Sequence, residues 1–288
     1  MGSKDLGRLV GNLQSMQLAV PVTVAHLYHI QRELAQAGAD KAWLSPDFHH
    51  NMADWRMFSE KTVERTTHMA EIFRRKPTHL GFCDASGLGA GGVWLDPSRS
   101  GKDLVWHHPW PSDIIVKIVS STNRDRMITN SNLELVEIVL HEAILLAAVT
   151  DARLAAPHSG SDNTPTDSWS TKEFSTINPV VAELLRLRAL HLRQFFINPS
   201  VFYHPGVKNL MVDEDSCLFD LSDTALLNHM SAAYPQPKSS WKLSLLPPDL
   251  LSCVISTLRR RPCKWELHQI LASRGSTSSG ATSAPPSR

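Results

Sequence analysis

The sequence contains no Cys-x-x-Cys pair and no His-Glu-x-x-His, two spacings by which a chain marks a zinc site. Its four cysteines, Cys83, Cys217, Cys253 and Cys263, show no paired arrangement. The opening residues, MGSKDLGRLVGN, are too polar for the apolar stretch of a secretory signal. Gly2 begins a myristoylation-like start, but Leu6 stands where Ser or Thr is required. Reduced thiols and a cytoplasmic or nuclear location are therefore expected. No apolar run approaches the length of a membrane span, so a membrane is not an expected partner. Excess charge is missing too. Lys plus Arg number 29 and Asp plus Glu 28, giving +1. That balance neither requires nor excludes nucleic acid, whose binding depends on a local patch. No internal repeat is visible.

What the chain does have is apolar content, 42% over 288 residues, enough for one large or two ordinary domains. Residues 1–76 read as mostly helical. Val24, Leu27, Tyr28 and Leu34 share a face over 22–36, Ser45-Pro46-Asp47 resembles a helix start, and Pro77 closes the unit. From 78 the pattern changes. Short apolar runs at 79–84, 91–96 and 103–107 suggest an antiparallel meander. Residues 131–149 form the strongest helix, apolar on most sides, with Ser131 or Asn132 as its cap. A strand before Asp162 follows, interrupted by Pro157 and Gly160; then come a helix at 179–196, a strand at 200–203 and a short helix at 209–217. From 220 to 272 the prolines suggest a loose tail, with one helix at 249–260, and 273–288 read as disordered.

The focus of this pattern is Thr78–Leu95. An apolar run delivers Asp84 at its end, and Gly87-Leu88-Gly89-Ala90-Gly91-Gly92 reads as a hairpin turn. Asp84 either begins that turn or serves as a partly desolvated carboxylate in need of a cation. In the order βββαβαβα, four acids fall at element ends: Asp84, Glu134, Asp162 and Asp213. Parallel pairing of the first and fourth strands would set Asp84 beside Asp162, with Glu134 above. Crowded carboxylates need cations, and oxygen ligands suit Mg²⁺ or Mn²⁺. Glu137 and Glu142 compete with Glu134; Glu137 reads as solvated or half-buried. His107, His108, His141, His158 and His204 lack zinc spacing and read as packed or surface residues. Arg74-Arg75-Lys76 and Arg259-Arg260-Arg261 read as solvated helix ends.

Four segments carry a resemblance. They are Phe82-Cys83-Asp84-Ala85-Ser86 with Gly92-Val93-Trp94, Ile128 to Leu135, Ser161 to Thr166 with Trp169 to Lys172, and His204 to Asn209 with Met211-Val212-Asp213. In this order they resemble the RNase H-like domain of retrotransposon polymerases, especially DIRS-like and gypsy-like elements, most strongly over 78–217. Upstream, Leu9 to Leu13 resembles the end of a reverse-transcriptase palm, and 22–60 its thumb or connection. The resemblance implies an α/β fold, a mixed five-stranded sheet flanked by helices over 78–219, with 1–76 as a helical appendage. It also implies hydrolysis of the RNA strand of an RNA–DNA hybrid by two Mg²⁺ or Mn²⁺ ions, roughly 3.5–4 Å apart, on Asp84, Glu134, Asp162 and Asp213. Asp84 would bridge the ions, and Ser86, Asn163 and Lys172 would meet phosphates. The polymerase part of the same element is an implied partner. The chain also departs from the family. It has no Tyr-x-Asp-Asp polymerase motif, and the final Arg of the last motif is replaced by Cys217. Asp215 competes with Asp213 as fourth ligand. These departures leave a second reading open, an inactive remnant that keeps the fold and binds nucleic acid or a partner.

Overall fold

A computed structural model describes residues 1–17, 19–37, 41, 43–61, 66–95, 102–120, 124, 127–149, 155–172, 178–236 and 240–261. The stretch 273–288, expected to be disordered, lies outside them. The chain begins with α1 (Ser3–Met16), a 3-10 turn (Pro21–His26), α2 (Tyr28–Gln36), α3 (Pro46–Lys61) and α4 (Met69–Ile72). Leu6, Val10, Leu13, Leu27, Ile30, Phe48 and Trp55 give this unit its own apolar cluster. The single helix expected over 22–36 is thus split after the 3-10 turn that Pro21 opens.

Three strands follow: β1 (His79–Ala85), β2 (Gly89–Leu95) and β3 (Asp103–Pro109). Then come α5 (Ser112–Ile115), α6 (Asn130–Ala148), β4 (Pro157–Ser161), α7 (Thr164–Lys172), α8 (Pro179–Phe195) and β5 (Ser200–Tyr203). A 3-10 turn at Gly206–Lys208 leads to α9 (Leu210–Asp215), α10 (Asp223–Ala233), β6 (Trp241–Leu243) and α11 (Pro248–Leu258). The fold is α/β, with one mixed sheet of order β5-β4-β1-β2-β3-β6, an arrangement consistent with an RNase H-like fold. β1, β2 and β3 run antiparallel in sequence, whereas β4 joins β1, β5 joins β4 and β6 joins β3 in parallel.

The sheet has six strands where five were expected, because the segment read as a loose tail supplies β6. That segment also supplies α10 and α11. Pro247 and Pro248 occupy the cap and first turn of α11, where a missing N–H breaks no helical bond. Pro157 is accommodated in the same way, as the first residue of β4. Gly160 answers a packing demand. A Cβ there would lie 2.9 Å from both Phe82 and Phe202, which flank it.

Both faces of the sheet are covered. On one, Ala85, Ala90, Trp94, Leu104 and Trp106 meet apolar residues of α6, α8 and α11. On the other, Val93 and Val105 meet Val212 of α9 and Leu226 and Met230 of α10. The N-terminal unit packs against α8. Asp54 accepts from Arg186 Nε at 2.6 Å and lies 3.0 Å from His26 Nδ1. Cys83 and Cys217 are free, while Cys253 is disulfide-bonded, contrary to the expectation of four reduced thiols. Among the described residues no helix is long and apolar enough to cross a membrane.

A candidate metal centre

The β1–β2 turn is Ser86-Gly87-Leu88; Gly89, Gly91 and Gly92, read as part of it, lie inside β2. None of the described glycines has a positive φ, so turn geometry does not explain them. Packing does. A Cβ on Gly92 would sit 2.8 Å from Trp106 Nε1 and 2.9 Å from His141 Nδ1, and one on Gly81 would sit 2.3 Å from His141 Nε2. These two glycines make room for a buried histidine of α6. His141 stacks on Trp94 with ring centroids 4.1 Å apart and accepts from Trp106 Nε1 at 3.0 Å. Burial holds its pKa well below the ordinary value, so it is a neutral packing residue.

With α6 seated this way, three acids converge. In the β1–β4 ladder Phe82 faces Gly160, which brings Asp84 and Asp162 out together two residues later. α6 starts from Thr129, whose side chain accepts from Asn132 N–H, and Glu134 lies in the next turn. Carboxylate oxygens of Asp84, Glu134 and Asp162 all lie within 4.8 Å of one another. Asp84 and Asp162 are partly exposed and Glu134 is buried.

The charges of this cluster oppose one another. Burial first, then Asp213 and Asp162, pushes the Asp84 carboxyl up to about 6. Burial, then Asp84 and Asp162, pushes Glu134 up to about 8, against opposing hydrogen bonds from Glu137 and Asn130. Asn130 Nδ2 donates to Glu134 Oε1 at 3.0 Å, and the Glu137 carboxyl lies within hydrogen-bonding reach of the same group. Glu137 is fully buried, rather than solvated or half-buried as expected, and its carboxyl is held well above its usual range by burial and by Glu134. Glu142, the third acid of the helix, is bound by Arg188 through two contacts of 2.8 and 2.7 Å.

Of the two acids that compete for the fourth place, Asp213 is near enough to Asp84 and Asp162 for their charges to interact. It lies one helical turn after Asn209, partly exposed, and burial together with the charge of Asp162 raises its pKa. It stands outside the three-acid group. Asp215 turns the other way. It is fully buried, accepts from Gly92 N–H at 3.0 Å, and is pushed far up by burial. It packs where a Cβ on Gly91 would stand, 2.7 Å from its Oδ2.

The three substrate candidates lie in different places. Ser86 Oγ donates to Ser216 O at 2.7 Å and accepts from Leu88 and Gly89 N–H, binding the turn together. Asn163, beside Asp162, accepts from Thr166 N–H as a helix cap does. Lys172 lies in the last turn of α7, on the wall of a cavity of about 370 Å³ shared with Arg74, Gln17 and Asn198. Arg74, Arg75 and Lys76 precede β1, at the opposite end of that strand from Asp84.

Three residues around the cluster carry no signal in their own residue type. Ser216 Oγ donates to Asp84 Oδ2 at 2.8 Å. Asn209, buried, donates from Nδ2 to Cys83 O at 3.2 Å. A Cβ on Gly206 would stand 2.6 Å from Asp162 Oδ2. Gly206 and Asn209 lie in a segment that carries the resemblance, but the sequence points to no role for them or for Ser216.

No protein-family profile and no curated protein matches the chain. One solved structure that does, described as the foamy viral protease-reverse transcriptase dRH in complex with ds DNA, covers 70% of this chain at 13% identity with a TM-score of 0.26. The chain spans about a third of that structure, 34%. A likeness this distant carries no argument about the site.

Proposed function

We propose that the chain is a metal-dependent nuclease that hydrolyses the RNA strand of RNA–DNA hybrids, as part of a retroelement polymerase. The observation that carries this reading is the convergence of Asp84, Glu134 and Asp162 within 4.8 Å at the ends of two parallel strands and one helix. The residues fit a hard divalent cation. All donors are oxygens, and Glu134 is buried beside the like charges of Asp84 and Asp162. Asp84, Glu134 and Asp162 would hold Mg²⁺ or Mn²⁺, with Asp213 completing a second position. Such ions, when bound, make water a nucleophile near neutral pH and offset charge growing on the phosphorus oxygens.

The chain's own side chains prepare that chemistry. Ser216 keeps Asp84 in one orientation, and Asn130 does the same for Glu134. Burial keeps Glu134 short of water, so a carboxylate formed there attracts a cation more strongly than an exposed one would. The partly exposed Asp84, Asp162 and Asp213 leave the centre open to a phosphodiester from solution. Discrimination of RNA from DNA would rest on its 2′-hydroxyl and backbone. In this reading residues 1–76 correspond to the thumb or connection of the polymerase.

The position of Asp213 outside the tight group favours a second reading, a catalytically inactive remnant that keeps the fold and binds nucleic acid or a partner. One experiment separates the two. The full chain is incubated with a labelled RNA–DNA hybrid in Mg²⁺ or Mn²⁺, with single-stranded RNA, duplex DNA and chelator as controls. Cleavage confined to the hybrid's RNA, and abolished by Asp84→Asn, supports the nuclease. An uncut hybrid under both metals sinks it.

A further inference from the structure

The segment from Gly206 to Ser216 touches the acid cluster at three points. Each contact acts on the position of a carboxylate or of the strand that carries it. Gly206 opens the 3-10 turn, and its missing side chain leaves the space that Asp162 Oδ2 enters; a Cβ would stand 2.6 Å from that oxygen. A methyl there would be accommodated by swinging the Asp162 carboxylate aside, and that movement takes an oxygen of the cluster with it. Asn209 follows, 3% exposed, and its amide donates to the carbonyl of Cys83, the residue before Asp84. Ser216 ends the segment, 0% exposed, with its hydroxyl on Asp84 Oδ2 at 2.8 Å. Ser216 is fixed in turn by Ser86, whose hydroxyl donates to its carbonyl at 2.7 Å. Two loops far apart in sequence therefore close on Asp84 from one side.

We infer that residues 206–216 form a clamp that positions Asp84 and Asp162 for a divalent cation, with Gly206 and Ser216 as its positioning residues. The inference rests on the metal-site part of the proposed function and needs no cleavage of nucleic acid. Asp84 has one carboxylate oxygen, Oδ2, held by Ser216. Asp162 Oδ2 occupies space that a side chain at residue 206 would take. Groups that orient metal ligands in this way change affinity about 10–100-fold when removed.

The test is Mn²⁺ binding to the full chain by electron paramagnetic resonance, with the unfolding midpoint of the metal-free protein measured alongside. Ser216→Ala and Gly206→Ala should each weaken Mn²⁺ binding about 10-fold or more, with midpoints close to that of the unaltered chain. Ser216→Thr, which keeps the hydroxyl, should restore most of the affinity lost in Ser216→Ala. Unchanged affinity in both alanine variants overturns the clamp. So does a loss of affinity that follows the loss of midpoint, since the role would then be structural, and so does an unaltered chain that binds no Mn²⁺. A chain that binds Mn²⁺ but leaves the hybrid uncut sinks the nuclease reading alone; the variants' Mn²⁺ affinities still decide the clamp.

Discussion

Glu134→Gln should stabilise the metal-free protein while removing its metal site. Glu134 is 2% exposed, and its carboxyl is raised to about 8 by burial and by neighbouring acids. In the unfolded chain the group titrates near its ordinary value of 4.5. At pH 7 folding must therefore place a proton on a group that is ionised when unfolded. Because the folded pKa is the higher one, this contribution falls as pH rises from about 4.5 toward 8. The cost at pH 7 is about 3–3.5 kcal/mol, from roughly 1.4 kcal/mol for each pH step above the unfolded value. Glutamine needs no proton and can keep the bond to Asn130. The gain at pH 7 should shrink to about 1 kcal/mol or less at pH 5. Urea unfolding of both proteins in chelator at the two pH values measures it. Working with the difference between proteins removes other titrations, such as that of His29. Burial lowers its pKa to about 4, and it acts in the opposite direction. Saturating Mn²⁺ should reverse the order by stabilising only the chain with an intact site. A Glu134→Gln protein no more stable than its parent at pH 7 without metal would refute the charge conflict and the geometry behind it.

Further outcomes follow from the same structure. Asp213→Asn should abolish hybrid cleavage with under about 0.5 kcal/mol change in stability, as befits a partly exposed side chain. Asp215→Asn should leave Mn²⁺ affinity within about twofold, since Asp215 faces Gly92, and paired metal titrations compare the two. Arg188→Ala should cost about 3–5 kcal/mol in denaturant unfolding, because it strands the buried Glu142 carboxylate. Arg186→Ala removes the hydrogen-bond donor to Asp54 at the junction of α8 and the N-terminal unit. It should make α3 amides exchange with solvent faster than those of α6, readable by hydrogen exchange.

The strand–helix order and three of the acids were legible because they rest on local signals. Apolar runs of fixed length mark β1, β3, β5 and α6, and the parallel pairing of β1 with β4 follows from that order. What stayed hidden depends on contacts distant in sequence. The glycines of β2 look like a turn until the distant residues that pack on them are seen, Phe219 on Gly89, Asp215 on Gly91 and His141 on Gly92. Glu137 looks like a solvated or half-buried acid because one helical step from Glu134 does not reveal how deeply α6 is sunk. β6 is three residues long and forms only because β3 offers an open edge. The prolines near it resemble breaks in structure until their places at an element's start are known. Spacing alone could not show that Asp215, unlike Asp213, is buried against Gly91 and Gly92.

The two glycines under His141 have a consequence for how this chain tolerates change. They carry no functional group, yet the seating of α6 depends on their having none. Substitutions at Gly81 or Gly92 would lift the helix and carry Glu134 away from Asp84, so a mutational scan scored on activity should rank these positions beside the carboxylates. Scored on amount of folded protein, the carboxylates should separate from them, being neutral or favourable to remove while the glycines are not. Comparing the two scans would distinguish residues that perform chemistry from residues that only keep a space empty for it.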